Sequence, residues 1–156
     1  MNMKTISVYI LTIMASVICQ SSQPGIGKSI ITKFKWKIVS ATTLTPIDLN
    51  NRNKPTTDLL GGSPECIKDD IFMFKNKGVF IIDDNNFSCS EPPSKNGKWK
   101  FIGTDSLLVD YGVGDLLVRY KITKLNPEQM FLTTNMPFVP GDIDVTYCFK
   151  QVGVLK

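Results

Sequence analysis

The sequence predicts an all-β fold, an antiparallel up-and-down meander that closes into a small barrel of about eight strands and follows an N-terminal signal helix. Three observations predict it. Apolar residues recur at every second position in one short segment after another. Clusters of Gly, Asn, Asp and Pro separate these segments. No long helical period is found beyond the first residues. Closing the sheet removes the exposed edges that invite aggregation. A barrel of about eight strands is just large enough to be filled by side chains or to hold one small ligand.

The chain has 156 residues, 42% hydrophobic and 21% charged, which fits one packed domain rather than disorder. Lys4, the apolar run from Ile6 to Ile18 and the small or polar residues after it read as an export signal. The run is too short, and too diluted by Thr5, Ser7, Thr12 and Ser16, for a span of roughly 20 apolar residues. Residues 1–21 are therefore read as a signal peptide or lipoprotein signal, 22–30 as a polar linker and 31–152 as the barrel domain. Cys19 is the candidate for lipidation. The Ile18 before it is larger than that processing prefers, so cleavage and lipidation both stand.

The first strand alternates Phe34, Trp36 and Ile38 with Lys33, Lys35 and Lys37, one buried face and one wet face. Residues 41–65 are the least regular part, a long loop with Pro46, Asn50, Asn51, Asn53 and Pro55. Within it, Thr56 to Leu60 reads as a short capped helical turn ended by Gly61 and Gly62. Ile71 to Lys75 and Val79 to Asp83 form a hairpin across Asn76, Lys77 and Gly78, with glycine for positive φ. Residues 90–96, with Pro92 and Pro93, read as a loop. Gly97 to Ile102 carries Trp99 and Phe101 on one face, and Leu107 to Tyr111 follows. Leu116 to Leu125 alternates Val118, Tyr120 and Ile122 with charged or polar residues. Met130 to Thr134 precedes a proline-rich loop at 135–141. The last strand alternates Ile143, Val145, Tyr147 and Phe149 with Asp144, Thr146, Cys148 and Lys150.

An exported chain reaches a compartment where disulfides persist. Cys66 and Cys89 flank the hairpin and meet at its open end, so they are the predicted disulfide; reduced, packed thiols are the alternative. Cys148 lies in the last strand between Tyr147 and Phe149. There is no CxxC pair, and no metal site is expected.

The chain contains no histidine, which removes Ser–His and Cys–His nucleophilic sites and the commonest transition-metal ligand. No catalytic residue, metal or cofactor is expected. The net charge of +4 is too mild and too dispersed for nucleic-acid binding. Gly27, Lys28 and Ser29 match the end of a phosphate loop, but Ser22 stands where its first glycine belongs and no strand precedes it. The acid pairs Asp69–Asp70 and Asp83–Asp84 lack the ligand ladder of a calcium loop and read as turn chemistry.

From Phe34 onward the order of features resembles the bacterial lipocalin-like domain family of small envelope and secreted proteins. The residues that carry the resemblance are Trp36 in the opening strand and Asp58-Leu59-Leu60 with Pro64-Glu65-Cys66-Ile67-Lys68-Asp69-Asp70-Ile71-Phe72-Met73-Phe74. Gly78, Cys89, Gly97-Lys98-Trp99 and Tyr147 continue it. The family often has a glycine two residues before the tryptophan. Phe34 holds that place here, a departure from the larger ligand-carrying lipocalins. The resemblance covers 31–151 and implies a barrel, not a chemistry.

Phe34, Trp36, Phe72, Phe74, Trp99, Phe101, Tyr120 and Tyr147 fall on one sheet face under the period-two reading. They are the candidates to line an apolar cavity, against the alternative of a solid core. The expected function is binding of a small apolar ligand in or at the mouth of the barrel. The alternative is a non-catalytic envelope or surface interaction module acting through its loops, with Leu59, Leu60 and Phe138 as contact candidates. The expected location is secreted, periplasmic or outer-membrane lipoprotein, with membrane contact only through a lipid on Cys19.

Overall fold

The structure is a computed structural model that describes residues 24–48, 53–89, 94–138 and 141–155. The export signal at 1–21, with Cys19, lies outside the described residues. The element order is helix α1 (Pro24–Lys33), β1 (Phe34–Ile47), β2 (Thr56–Asp58), helix α2 (Glu65–Lys68), β3 (Ile71–Lys75), a 3₁₀ turn (Asn76–Gly78), β4 (Val79–Asp83), β5 (Ser94–Ile102), β6 (Ser106–Asp110), β7 (Leu117–Leu125), β8 (Gln129–Met136) and β9 (Ile143–Val154). No helix among the described residues is long and apolar enough to cross a membrane.

The strands form one antiparallel sheet in the order β2-β1-β3-β4-β5-β6-β7-β8-β9, and β9 also pairs with β1. This is the closed eight-stranded meander that the alternation predicts, with β2 added beside β1. The closing seam runs from Phe34 opposite Val154 to Thr43 opposite Val145, with register shifts at Lys35/Trp36 and Ile38/Ser40. Such bulges let a strand bend with the barrel wall. The β3–β4 hairpin turns through Lys77 and Gly78, both at positive φ.

Inward positions of every barrel strand meet in one core: Trp36, Phe72, Phe74, Phe80, Ile82, Trp99, Leu107, Val109, Tyr120, Met130, Leu132 and Phe149, with Ile31 of α1. Edge-to-face aromatic pairs run through it, including Phe74–Trp99 at 5.5 Å and Phe72–Phe149 at 5.4 Å between ring centroids.

Four expectations are corrected. The linker expected at 22–30, and the strand start at Ile31, give way to α1, which occupies Pro24–Lys33 and includes the Gly27-Lys28-Ser29 stretch. Proline suits a first helical turn, and the helix is held by what it covers, since Ile31 is fully buried under one end of the barrel. Thr56 to Asp58 pairs with β1 instead of starting a helical turn, because two β-branched threonines meet an available strand edge. The loop expected at 90–96 gives way to β5 over its last residues, since pairing with β4 begins at Ser94 opposite Asp83. The long loop at 41–65 is partly ordered sheet, as β1 continues to Ile47 and Leu59 N donates to Ala41 O at 2.8 Å.

Candidate functional site

The two ends of the barrel differ. At one end α1 acts as a plug. Ile31 is buried beneath it, Gly27 lies against Phe101 and Leu125, and Leu155 N donates to Lys33 O at 2.9 Å. Both tryptophans sit in this half. Trp36 Nε1 donates to Ile31 O at 3.1 Å and Trp99 Nε1 to Lys75 O at 2.9 Å, so each buried indole N–H is satisfied by backbone. This half is solid.

The other end is a cup of about 300 Å³. Its wall includes Ile38 of β1, Phe72 of β3, Ile82 of β4, Tyr120 of β7, and Tyr147 and Phe149 of β9. Ile67 of α2 and Val113 and Leu116 of the β6–β7 loop form its rim. Val113 and Leu116 are each 53% exposed, an apolar lip rather than a closed lid. A volume of this size is at the lower bound for small-molecule sites.

The eight aromatic candidates therefore divide. All belong to the core or pack against it, but only Phe72, Tyr120 and Tyr147 reach the cup. Trp36 is sealed from solvent, and Phe74 and Trp99 are buried beside it in the plugged half. Phe34 and Phe101 are partly buried, Phe34 against Trp36 and Phe101 against Trp99 and Gly27. Tyr111 and Phe149 line the cup although neither is among those eight. Both lie in inward phase: Tyr111 continues Leu107 and Val109, and Phe149 continues Val145 and Tyr147.

Three of the four tyrosines of the chain thus meet at the cup. The Tyr111 and Tyr120 hydroxyls share a hydrogen bond. Tyr147 Oη donates to Met136 Sδ at 3.5 Å. Burial pushes the Tyr111 phenol up to about 12, opposed by its bond to Tyr120. Burial raises Tyr120 and Tyr147 as well. Among the described residues, the lining includes the Asp70 carboxyl and no lysine or arginine.

A second concavity lies beside the cup. β7 pairs with β8 only from Lys121 opposite Thr133 to Leu125 opposite Met130. Beyond that, Leu117 to Tyr120 pair with β6, and Thr134 to Met136 pair with β9. The two strands splay, bridged by Thr134 Oγ1 donating to Arg119 O at 2.8 Å. The groove between them measures about 850 Å³ and shares Leu116, Tyr120 and Tyr147 with the cup.

The rim is fastened covalently. Cys66 and Cys89 form the predicted disulfide, with Cα atoms 5.4 Å apart. It ties α2, which bears Ile67, to the chain after β4. Asp69 Oδ2 accepts hydrogen bonds from the backbone N–H groups of Asn86 at 3.0 Å and Phe87 at 3.2 Å, a second tie across the same gap. Asp83 Oδ1 accepts from Asn85 N at 3.2 Å and Asp84 Oδ2 from Ser88 Oγ at 2.6 Å, so these acids shape the turn.

Cys148 is a buried free cysteine, opposite Ser40 and Phe131, whose thiol burial pushes up while Lys150 and Lys124 pull it down. Leu59, Leu60 and Phe138 are half-buried and do not reach the cup. No family model matches the chain, and no curated protein matches it in sequence.

Proposed function

We propose that the chain is an exported, lipocalin-like binding protein that carries a small apolar ligand in the open end of its barrel, and that it is not a catalyst. The single observation that carries this reading is the asymmetry of the interior. One half buries Ile31 of α1 with Trp36, Phe74 and Trp99, whereas the other keeps an aromatic-lined cup of about 300 Å³. A barrel that needed only a core would be filled at both ends. The apolar lip at Val113 and Leu116 supports the same reading, because exposed apolar groups rimming a concavity are commonly contact surface. Export is supported by the Cys66–Cys89 disulfide and by the signal-like first residues.

Native mass spectrometry of gently purified protein tests it. A copurified small mass is expected, and Leu116→Trp, which builds into the cup from an exposed position, should lower uptake of apolar compounds about tenfold or more. Bare protein that takes up nothing from a panel of apolar compounds would overturn the reading.

A further inference from the structure

The groove between β7 and β8 has a polarity of its own. It is closed at one end, where Lys121 still pairs with Thr133, and it widens toward Leu117 and Met136, which pair with other strands. The alternation of β7 divides its residues between two levels. Val118 and Tyr120 belong to the inner face and, with Tyr147 of β9, make the floor. Arg119 and Lys121 are exposed on the outer face and edge the closed end. The wide end is apolar. Leu116, Leu117 and Met136 line it, and they are 53%, 58% and 41% exposed.

The charges of the groove are unequal along its length. Neither Arg119 nor Lys121 makes an ion pair among the described residues. Asp144, the acid of the described lining, lies on the wide side of Thr146, and its Oδ1 accepts a hydrogen bond from Asn135 Nδ2 at 3.0 Å. Asp105 accepts from Ser106 Oγ at 3.1 Å and does not line the groove. The described lining of the closed end thus holds two cations and no carboxylate.

Arginine and lysine on a strand are ordinarily a solvated face, but these two edge a concavity whose other end leaves large apolar side chains in water. Such groups around a concavity are commonly contact surface. A cationic guest would meet like charge at the closed end. A small inorganic anion would leave the apolar end wet. An acidic group on an apolar body satisfies both ends at once.

We infer that the groove is a second binding site, for a monoanionic amphiphile. Its acidic group lies at Arg119 and Lys121, and its chain or ring runs over Val118 and Tyr147 toward Leu117 and Met136. The guanidinium fork of Arg119 suits a carboxylate-type oxyanion. The volume of about 850 Å³ falls within the range of small-molecule sites. The site does not depend on the cup, since Leu117, Arg119, Lys121 and Met136 line the groove and not the cup.

Titration calorimetry on the disulfide-intact protein tests it with octanoate, octanol, octylammonium and acetate, each below the concentration at which it forms micelles. Octanoate should bind about tenfold tighter than octanol, the value of one charge-assisted hydrogen bond. Octylammonium should bind more weakly than octanol, and acetate at least about tenfold more weakly than octanoate. The double variant Arg119→Gln/Lys121→Gln changes two exposed side chains and should erase the advantage of octanoate over octanol. Leu117→Asp, at an exposed position outside the cup, should weaken octanoate about tenfold. Octanol or octylammonium binding as tightly as octanoate, acetate matching it, or a preference that survives the double variant would overturn the inference. Octanoate that does not bind at all would overturn it too, and would leave the cup to stand or fall by its own test.

Discussion

The indole Nε1 of Trp36 donates to the backbone carbonyl of Ile31 at 3.1 Å, joining the first barrel strand to the last turn of the helix before it. The last carbonyls of a helix have no partner within it, and this bond satisfies one of them. It also sets α1 over the barrel end, where Ile31 becomes fully buried. A ten-residue helix with two internal glycines has little stability of its own, so this docking is what holds it.

Ile31→Ala should therefore cost about 2–5 kcal/mol, the range for emptying a well-packed aliphatic site. Urea unfolding followed by tryptophan fluorescence measures it, since Trp36 is bonded to α1 and both tryptophans are in the core. A change below about 0.5 kcal/mol, typical of surface positions, would mean that the helix is an ornament on the barrel rather than its plug.

The disulfide should act on stability and on the cup together. Cys66 and Cys89 are 23 residues apart, and closing a loop of that size contributes about 3 kcal/mol in the chain-entropy model. The double variant Cys66→Ser/Cys89→Ser should lose about that much in denaturant unfolding, and reductant should do the same to the parent protein. Because the bridge holds α2, and Ile67 of α2 forms part of the rim, ligand affinity should fall in parallel. Unchanged affinity in the reduced, still folded protein would show that α2 stays seated through Asp69 and its two backbone hydrogen bonds alone.

Much of this architecture is legible in the chain, because a half-buried strand writes its geometry as alternation. Phe34, Trp36 and Ile38 against the lysines between them mark both the strand and its buried face. Cys66 and Cys89 are legible because a hairpin brings its flanks together. What alternation does not encode is height along the barrel axis, which register sets. Trp36 and Tyr147 share the inner face, yet one lies under the plug and the other in the open cup, and only the paired strands reveal it. α1 was hidden for a different reason: Gly25, Gly27 and Ser29 argue locally against a helix, and its stability is tertiary. The order in residues 41–65 was masked likewise, since Thr56 and Thr57 become strand only because β1 offers an edge.

Gly97 provides a test of that register. It lies in β5 where the strand crosses close to the end of β6, and a Cβ added there would run into the carbonyl of Asp110. Backbone cannot step aside as a flexible side chain can. Gly97→Ala should cost about 3 kcal/mol or more. Gly141→Ala, with nothing near an added Cβ and no positive φ, should stay within about 0.5 kcal/mol. Comparable stability for the two variants would place β5 and β6 farther apart than described.

The tyrosine cluster predicts an alkaline limit with a definite sign. A phenol in the unfolded chain ionises near pH 10. Burial raises Tyr111 to about 12 in the folded barrel, and raises Tyr120 and Tyr147 in the same direction. The folded state therefore holds protons that the unfolded state releases, so the contribution of each raised phenol is complete below about pH 10. It declines as pH rises toward the folded value, with a slope of about 1.4 kcal/mol per pH unit for each tyrosine still protonated when folded. Unfolding free energy should thus be flat near neutrality and fall steeply between about pH 10 and 12, with tyrosinate absorbance appearing together with loss of structure. Tyr111→Phe removes one such phenol and should make the decline shallower by one proton. Tyrosinate absorbance that develops near pH 10 in protein still folded by circular dichroism would mean the three phenols are open to water, and the cup would then be a wet depression rather than an apolar site.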